Sequence, residues 1–415
     1  MTILILILII ALLLLSWKYI LKLEPAGVFA GIWIVTTAIV LLLQNYIILR
    51  YYGIIYILSC IILFVFGSIS CDTFYNPTPN SNKLVFRKER ALPILLILFV
   101  GAMVNPLYSI VLHGFSLKAL LSLQDILNVN KSIAEDRYYT GGVTNTVNQI
   151  FLVFCYAAPL LGGFCYRWVN KLTKTICLLT LIPGMFIALT QSMKLGMVTG
   201  FILWFTGYIV SSYSYGIPIR LKLRNIIRLM IILLGFFFIL FLSMVLRTGE
   251  ISPRTIIDIS QRFITYALGQ FTCFEMWFTS HEPITYSFGT KTFLGIASTI
   301  GLEDKMQGIY QEYYQIGQNG FYGIGNIFTI FRSLIEDFGE TGALLIMFLM
   351  GFCSKLSFKA MMCRKHLIMN QVITTAFYAY LFWSFATSFF AYLSYFAMFF
   401  MAYFLFHYLQ TEHQP

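Results

Sequence analysis

The chain has 415 residues, 59% of them hydrophobic and only 11% charged, with a mean hydropathy of +0.80. That balance excludes an ordinary soluble domain and a disordered chain, and points to a polytopic membrane protein. The formal charge of +11 would suggest a nucleic-acid partner in a soluble protein. Here the basic residues stand in short loops between apolar runs, as orientation signals do, so no nucleic acid is expected.

The predicted fold class is all-α: a polytopic transmembrane helical bundle of about eleven spans, twelve being the alternative, since each apolar run approaches the roughly twenty residues a bilayer requires. The runs cover 2–17, 28–48, 53–70, 92–112, 149–166, 175–191, 195–213, 229–246, 341–354, 369–388 and 391–409. Met1 to Trp17 has neither a basic start nor a small-residue cleavage site, and reads as a retained first span. Under strict alternation one side of the membrane takes Lys18/Lys22, Lys83/Arg87/Lys88/Arg90, Arg167/Lys171/Lys174, Arg220/Lys222/Arg224/Arg228 and Lys355/Lys359/Arg364/Lys365. That excess marks the cytoplasmic side. The loop 113–147, the turn at Lys194 and the stretch 247–340 then face outward, with the N-terminus outside and the C-terminus inside.

Three parts follow: 1–246, with eight spans and the loop 113–147; 247–340, a large external loop expected to hold short amphipathic helices; and 341–415, with the last three spans. Ionisable residues are nearly absent from the clear spans, whereas a transporter keeps buried charges near the midplane. Seven cysteines lie in or beside apolar runs, leaving Cys273 alone in the long polar region without a disulfide or metal spacing.

In the loop 113–147, Ser122 to Asp125 resembles a capping box for a short helix that delivers Arg137, Tyr138 and Tyr139 to a glycine-rich bend. Lys194 is a further external cation, and snorkelling alone accounts for it. Arg247 ends the eighth span. Ser252-Pro253 then forms a helix start, a hydroxyl N-cap with proline at the first helical position. A helix from there aligns Arg254, Asp258, Arg262 and Tyr266 on one face. The plain account is a surface salt-bridge ladder. The functional one is a row of cations at headgroup depth for a lipid-linked phosphate.

The run from Gly301 to Gly325 interleaves Tyr310, Tyr313, Tyr314 and Tyr322 with Gln, Asn and Gly. Aromatic faces suit the C–H faces of sugars, and amides suit their hydroxyls. Tyrosine is also common at membrane interfaces. Residues 326–338 have helical periodicity, with Asn326, Thr329, Arg332, Glu336 and Glu340 opposite a broad apolar side. That is the pattern of an interfacial helix whose polar face is an anchor or lines a cleft. No nucleophile elbow, Walker loop, zinc-protease motif or external Asp-x-Asp is present, and His113 and His281 stand alone. Metal-free chemistry is expected, with no cofactor.

Four features together resemble the Wzy-type oligosaccharide repeat-unit (O-antigen) polymerases of bacterial inner membranes, which are GT-C-like glycosyltransferases. They are the late external loop opening on Arg247, the run NIFTIFRSLIEDFGETG, the Arg-Tyr-Tyr segment at Arg137, and the short cationic turn at Lys194. Family members often carry arginine in that turn; lysine keeps the charge but not bidentate binding.

The resemblance implies an enzyme at the periplasmic face that joins polyprenyl-pyrophosphate-linked oligosaccharide units into surface polysaccharide. A chain-length regulator and a flippase of the same pathway would be its partners beside the bilayer. Arg247, Arg254 and Arg262 would hold phosphate, with Arg137, Arg332 and Lys194 as supporting cations and Tyr313 and Tyr314 against sugar. Glu336, Asp337, Glu250 and His281 are the candidates for deprotonating the acceptor hydroxyl. The alternatives are a lipid-linked glycan ligase, a polysaccharide flippase or exporter, and a non-enzymatic chain-length partner.

Overall fold

The computed structural model describes all residues except 79, 81–82, 140–145, 192–193, 220–222, 249–251, 282–285, 305–309, 322 and 414–415. Among the described residues the helices are α1 Thr2–Leu21, α2 Pro25–Leu42, α3 Tyr52–Phe74, α4 Lys88–Leu112, α5 Leu123–Tyr139, α6 Thr146–Cys165, α7 Lys171–Leu179, α8 Ile182–Gln191, α9 Lys194–Ser214, α10 Leu223–Thr248, α11 Pro253–Ser280, α12 Leu294–Thr299, α13 Ile330–Met362, α14 Leu367–Trp383 and α15 Leu393–Leu409. Two small antiparallel sheets join β1 (Lys83–Phe86) to β4 (Gln410–His413), and β2 (Tyr314–Gln315) to β3 (Ile324–Gly325).

This is a helical membrane protein. Each of the eleven expected spans falls on helix, and eight stretches, with α7 and α8 taken together, are long and apolar enough to cross a bilayer. Two shorter apolar helices cover Met230–Val245 and Leu393–Leu409. Large apolar side chains such as Ile3, Leu14, Leu42, Ile231 and Leu234 are exposed on these helices, as lipid contact requires and water would not permit in such number.

The chain divides into two compact units. One comprises residues 1–80, 218–220 and 260–393. Its main contact is α3 on α13, where Gly67 and Gly351 face each other's helix: a Cβ on Gly67 would sit 2.0 Å from the Phe348 carbonyl, and one on Gly351 1.9 Å from that of Phe64. Small residues at these places let the backbones approach, which is how helices pack where lipid offers no hydrophobic drive. Around this seam Trp33 packs edge-on against Phe271 and Phe331, each at 5.3 Å, and Phe29 lies 5.0 Å from Phe64.

Glu275 of α11 is fully buried and accepts from Ile54 N at 3.1 Å in the first turn of α3. It does what the N-cap Tyr51 side chain does not, supplying an acceptor for an N–H that has no partner within the helix.

The charges this unit gathers around Lys355 lie just beyond the ends of the expected spans 28–48, 53–70 and 341–354. Lys355 of α13 is buried and pairs with Glu24, the residue before α2, and with Asp72 of α3 at 3.3 Å. Asp72 also binds Lys359 at 3.3 Å and accepts from the Tyr19 hydroxyl at 2.9 Å. Every partner in the cluster is a charge of opposite sign or a hydrogen-bonding group, the condition under which such residues can be buried.

The other unit comprises residues 81–217, 221–259 and 394–415. Its centre is α6 against α9, with the same device: Cβ atoms on Gly163 and Gly207 would meet the Trp204 and Leu160 carbonyls at 1.8 and 2.2 Å. The expected helix in the loop 113–147 is α5, and Asp125 N donates to Ser122 Oγ at 3.4 Å. Val129 and Ile133 of α5 are buried with Ile110 of α4. His113 is held by Ser109 O (2.7 Å) and Asp136 (3.3 Å), a structural environment.

Candidate functional site

The Ser252-Pro253 helix start is realised: α11 begins at Pro253, and Thr255 N donates to Ser252 Oγ at 3.2 Å. The expected short amphipathic helix is instead a helix of 28 residues. From Leu268 to Glu275 it is buried throughout, because Phe271 and Phe274 pack against α2, α3 and α13. Before that stretch Arg254, Asp258, Arg262 and Tyr266 are exposed, and among the described residues the first three form no ion pair with one another. The ladder is therefore a row of solvated charges.

The second helix differs more from expectation. Residues 330–338 form the first part of α13, which breaks at Gly339 (φ 73°, ψ 172°). Only glycine adopts that left-handed backbone without strain, and a Cβ would also meet the Tyr286 ring at 2.8 Å. On the polar face Thr329 and Arg332 are buried, Glu336 is half-buried and Glu340 exposed, and the neighbouring Asp337 is buried as well, with the earlier segments 287–292 and 310–312 bonded to this helix.

Arg332 is the centre of the site. Its side chain is 4% exposed, its Nε donates to Glu336 Oε1 at 2.8 Å, and Nη1 donates to Glu312. The guanidinium carbon lies 3.7 Å from the centre of the Tyr310 ring, 4.2 Å from Phe328 and 4.9 Å from Trp277. Three aromatic faces and two carboxylates thus hold one cation. Tyr310 is bonded to Ser333 Oγ at 3.0 Å. Burial, then the Glu336 carboxylate, pushes its phenol well above the ordinary value, so it stays a neutral partner.

Asp337 is fully buried. Its Oδ1 accepts from Ser287 Oγ (2.7 Å) and Lys291 N (3.0 Å), and its Oδ2 from Thr292 N (2.8 Å). The carboxylate is spent on fixing the turn 287–292, which argues against its role as a base. That turn carries Lys291, whose Nζ binds Glu303 Oε2 at 2.8 Å, while Thr290 Oγ1 donates to Glu303 Oε1 at 2.7 Å.

His281 stacks on Trp277, ring centres 4.7 Å apart. Its Nδ1 is 2.8 Å from Phe278 O, which fixes the proton there in the neutral ring and leaves Nε2 facing Glu340 Oε1 at 3.6 Å. Glu336 and His281 therefore remain as candidate proton acceptors near the arginine, one through the ion pair and one through the shared Trp277.

The amides read as sugar ligands are used otherwise. Gln318 Nε2 donates to Gln44 O at 3.0 Å, Asn319 Nδ2 to Asn45 O at 2.7 Å, and Gln318 N to Tyr46 O at 2.9 Å, stitching this loop to the α2–α3 connection. Tyr313 is 66% exposed, and Tyr314 lies in β2 with its ring 5.9 Å from Phe328.

The remaining residues belong to the other unit. Lys194 is the first residue of α9 and half-buried. Arg137 lies in α5 and Arg247 in α10, with side chains outside the described residues, and Glu250 is outside them altogether. The sequence reading missed Glu312, Trp277, Lys291 and Glu303 as members of one cluster. The only local signals were the i, i+4 spacings of Arg332 with Glu336 and of Trp277 with His281. Among the described residues no group of three His, Cys, Asp or Glu could hold a metal ion. No protein-family profile, curated protein or solved structure matches this chain.

Proposed function

We propose that the protein is an oligosaccharide repeat-unit polymerase of a bacterial inner membrane, with residues 247–340 on the periplasmic side. It would transfer a glycan from its polyprenyl pyrophosphate onto the terminal sugar hydroxyl of the next lipid-linked unit. The observation that carries this reading is Arg332, held by three rings and Glu336, with its outer partner Glu312 52% exposed. An incoming diphosphate can compete with that exposed carboxylate for the guanidinium at little desolvation cost.

In this reading the acceptor hydroxyl attacks the anomeric carbon, the bond to the diphosphate oxygen breaks, and the electron pair leaves with the phosphate. A guanidinium placed where that charge gathers lowers the barrier. Glu336 or His281 takes the hydroxyl proton. Arg254 and Arg262, exposed on α11, gather the anionic carrier at the surface, and the exposed ring of Tyr313 offers an apolar face to sugar.

The buried Lys355 cluster does not shift the reading toward a flippase, since its charges already have partners. The test is a banding gel of surface polysaccharide from a deletion strain complemented with wild type, R332A, R332K or R254A/R262A. Wild type restores a ladder, R332A and R254A/R262A leave glycan one unit long, and R332K gives short ladders. A full ladder from R332A overturns the assignment. Polymer that forms in wild type and deletion alike but is attached only in wild type indicates a ligase, and loss of all exported glycan in the deletion a flippase.

A further inference from the structure

The second compact unit carries a cavity that the proposed chemistry does not use. It has a volume of about 520 Å³ and is formed by the start of α4, the last turns of α15 and β4. Its polar part is made by Arg87, Arg90, His407 and Tyr408, and its apolar wall by Ile94 and Phe404. Both arginines are positioned by the C-terminal segment. Arg87 N donates to Leu409 O at 2.9 Å and its Nε to Thr411 Oγ1 at 3.4 Å. Arg90 Nη1 donates to Tyr408 O at 3.2 Å, and its guanidinium lies 4.7 Å from the centre of the Tyr408 ring. The antiparallel pairing of Phe86 with Gln410 and Val85 with Thr411 holds the two walls in register.

A guanidinium has five N–H donors, and these contacts use one on each arginine, so both keep donors for an anion. The lining grades from two cations to Ile94 and to Phe404, which is 54% exposed. That is the profile of an amphiphile, with an anionic head and a hydrocarbon tail running along the helices. The arginines also belong to the basic loops that the positive-inside rule places at the cytoplasmic surface, where anionic lipid is abundant.

We propose that this cavity binds the phosphate headgroup of an anionic phospholipid. Arg87 and Arg90 hold the phosphate, and an acyl chain lies along Ile94 and Phe404. The site ties the chain's C-terminal strand to α4 through the lipid as well as through the sheet. It does not depend on the glycan chemistry, so either proposal can fail alone.

The test uses the full chain in detergent, stripped of lipid and titrated with phosphatidylglycerol or phosphatidylcholine, with bound lipid counted by native mass spectrometry. Wild type should prefer phosphatidylglycerol. Affinity should fall about fivefold in R90Q and about 25-fold in R87Q/R90Q, from the usual attraction per basic residue near an anionic surface. K171Q/K174Q, altered on the same basic side but away from the cavity, should match wild type.

Unchanged binding in R87Q/R90Q, an equal loss in K171Q/K174Q, or no preference over phosphatidylcholine overturns the proposal. So does displacement of the lipid by an equal concentration of inorganic phosphate, which would make the site one for a soluble anion. Should the double variant not survive extraction, R90K against R90Q decides: binding kept by the first and lost by the second supports the site, and equal behaviour overturns it.

Discussion

Helix α13 carries a buried cation on each side of its break at Gly339, and the two are solvated by the protein in different ways. Lys355 is paired with Glu24 and Asp72, whose side chains are 9% and 27% exposed and sit on or beside frame helices. Arg332 is paired with Glu336, 16% exposed, and with Glu312, 52% exposed on a loop, and the rest of its shell is aromatic. A buried pair whose members all lie in packed helices has no inexpensive way to open, because each charge would lose its partner without gaining water. A pair with one wet member can exchange that member for another anion. The difference separates a charge that joins helices from a charge that can receive a ligand.

The sharpest way to break this distinction is at Lys355. K355M leaves Glu24 buried without its cation, while Asp72 keeps Lys359, and the expected loss is about 3–5 kcal/mol of stability. It should be read from thermal unfolding in detergent, with little protein surviving purification at ambient temperature. Adding E24Q to K355M should recover part of the loss, since removing both members of a pair costs less than removing one. If K355M unfolds like wild type, Lys355 is not a joint between helices.

Next in size is Asp337, which fixes the turn 287–292 through charge-assisted hydrogen bonds. D337N keeps the shape but turns one acceptor oxygen into a donor facing backbone N–H, at an expected cost of about 2–3 kcal/mol. The melting temperature should fall together with glycan polymerisation. By contrast E336Q should lose polymer with a smaller stability change than D337N, since glutamine keeps an acceptor oxygen for Arg332 Nε and the arginine keeps Glu312 and its rings. Equal thermal effects of D337N and E336Q would remove the reason for assigning one to structure and the other to chemistry.

How much of this was legible in the sequence follows the range of each interaction. Runs of apolar residues placed helix at every expected span, and Ser252-Pro253 marked the start of α11, because length and caps are local properties. The pairing of Arg332 with Glu336 was legible for the same reason. What the i, i+4 pattern could not report was that Arg332 is buried. That depends on Tyr310 and Glu312 folding back from about twenty residues earlier and on Trp277 arriving on another helix. The Lys355 cluster was hidden similarly: Glu24, Asp72 and Lys355 each look like ordinary charges near span ends, and only the fold brings them together. The amides of Gln318 and Asn319 misled because their partners, the carbonyls of residues 44–47, have no side-chain signature.

A smaller comparison lies within the loop that carries Glu312. E312Q should change stability by about 1 kcal/mol or less, since an exposed pair contributes little, yet it weakens the competitor for Arg332 and should lower the donor concentration needed for half-maximal polymerisation in membrane vesicles. No change in that concentration would mean that Glu312 does not occupy the ligand's place.

The least effect is expected at Glu303, whose partner Lys291 is about as accessible as the carboxylate itself. The hydrogen bonds from Lys291 and then from Thr290 hold its carboxyl below the usual value for glutamate. A carboxyl with a lower pKa folded than unfolded contributes stability above the unfolded value, about 4.3, and loses it as the pH falls through the folded value. Screening at this accessibility limits the contribution to about 1 kcal/mol or less. Melting curves recorded from neutral to about pH 3 should therefore fall slightly more steeply for wild type than for E303Q at the acid end, with the two differing by a constant amount above pH 6. If the two profiles run parallel through the acid range, the Lys291–Glu303 contact is not formed in solution, and the turn is held by Asp337 alone.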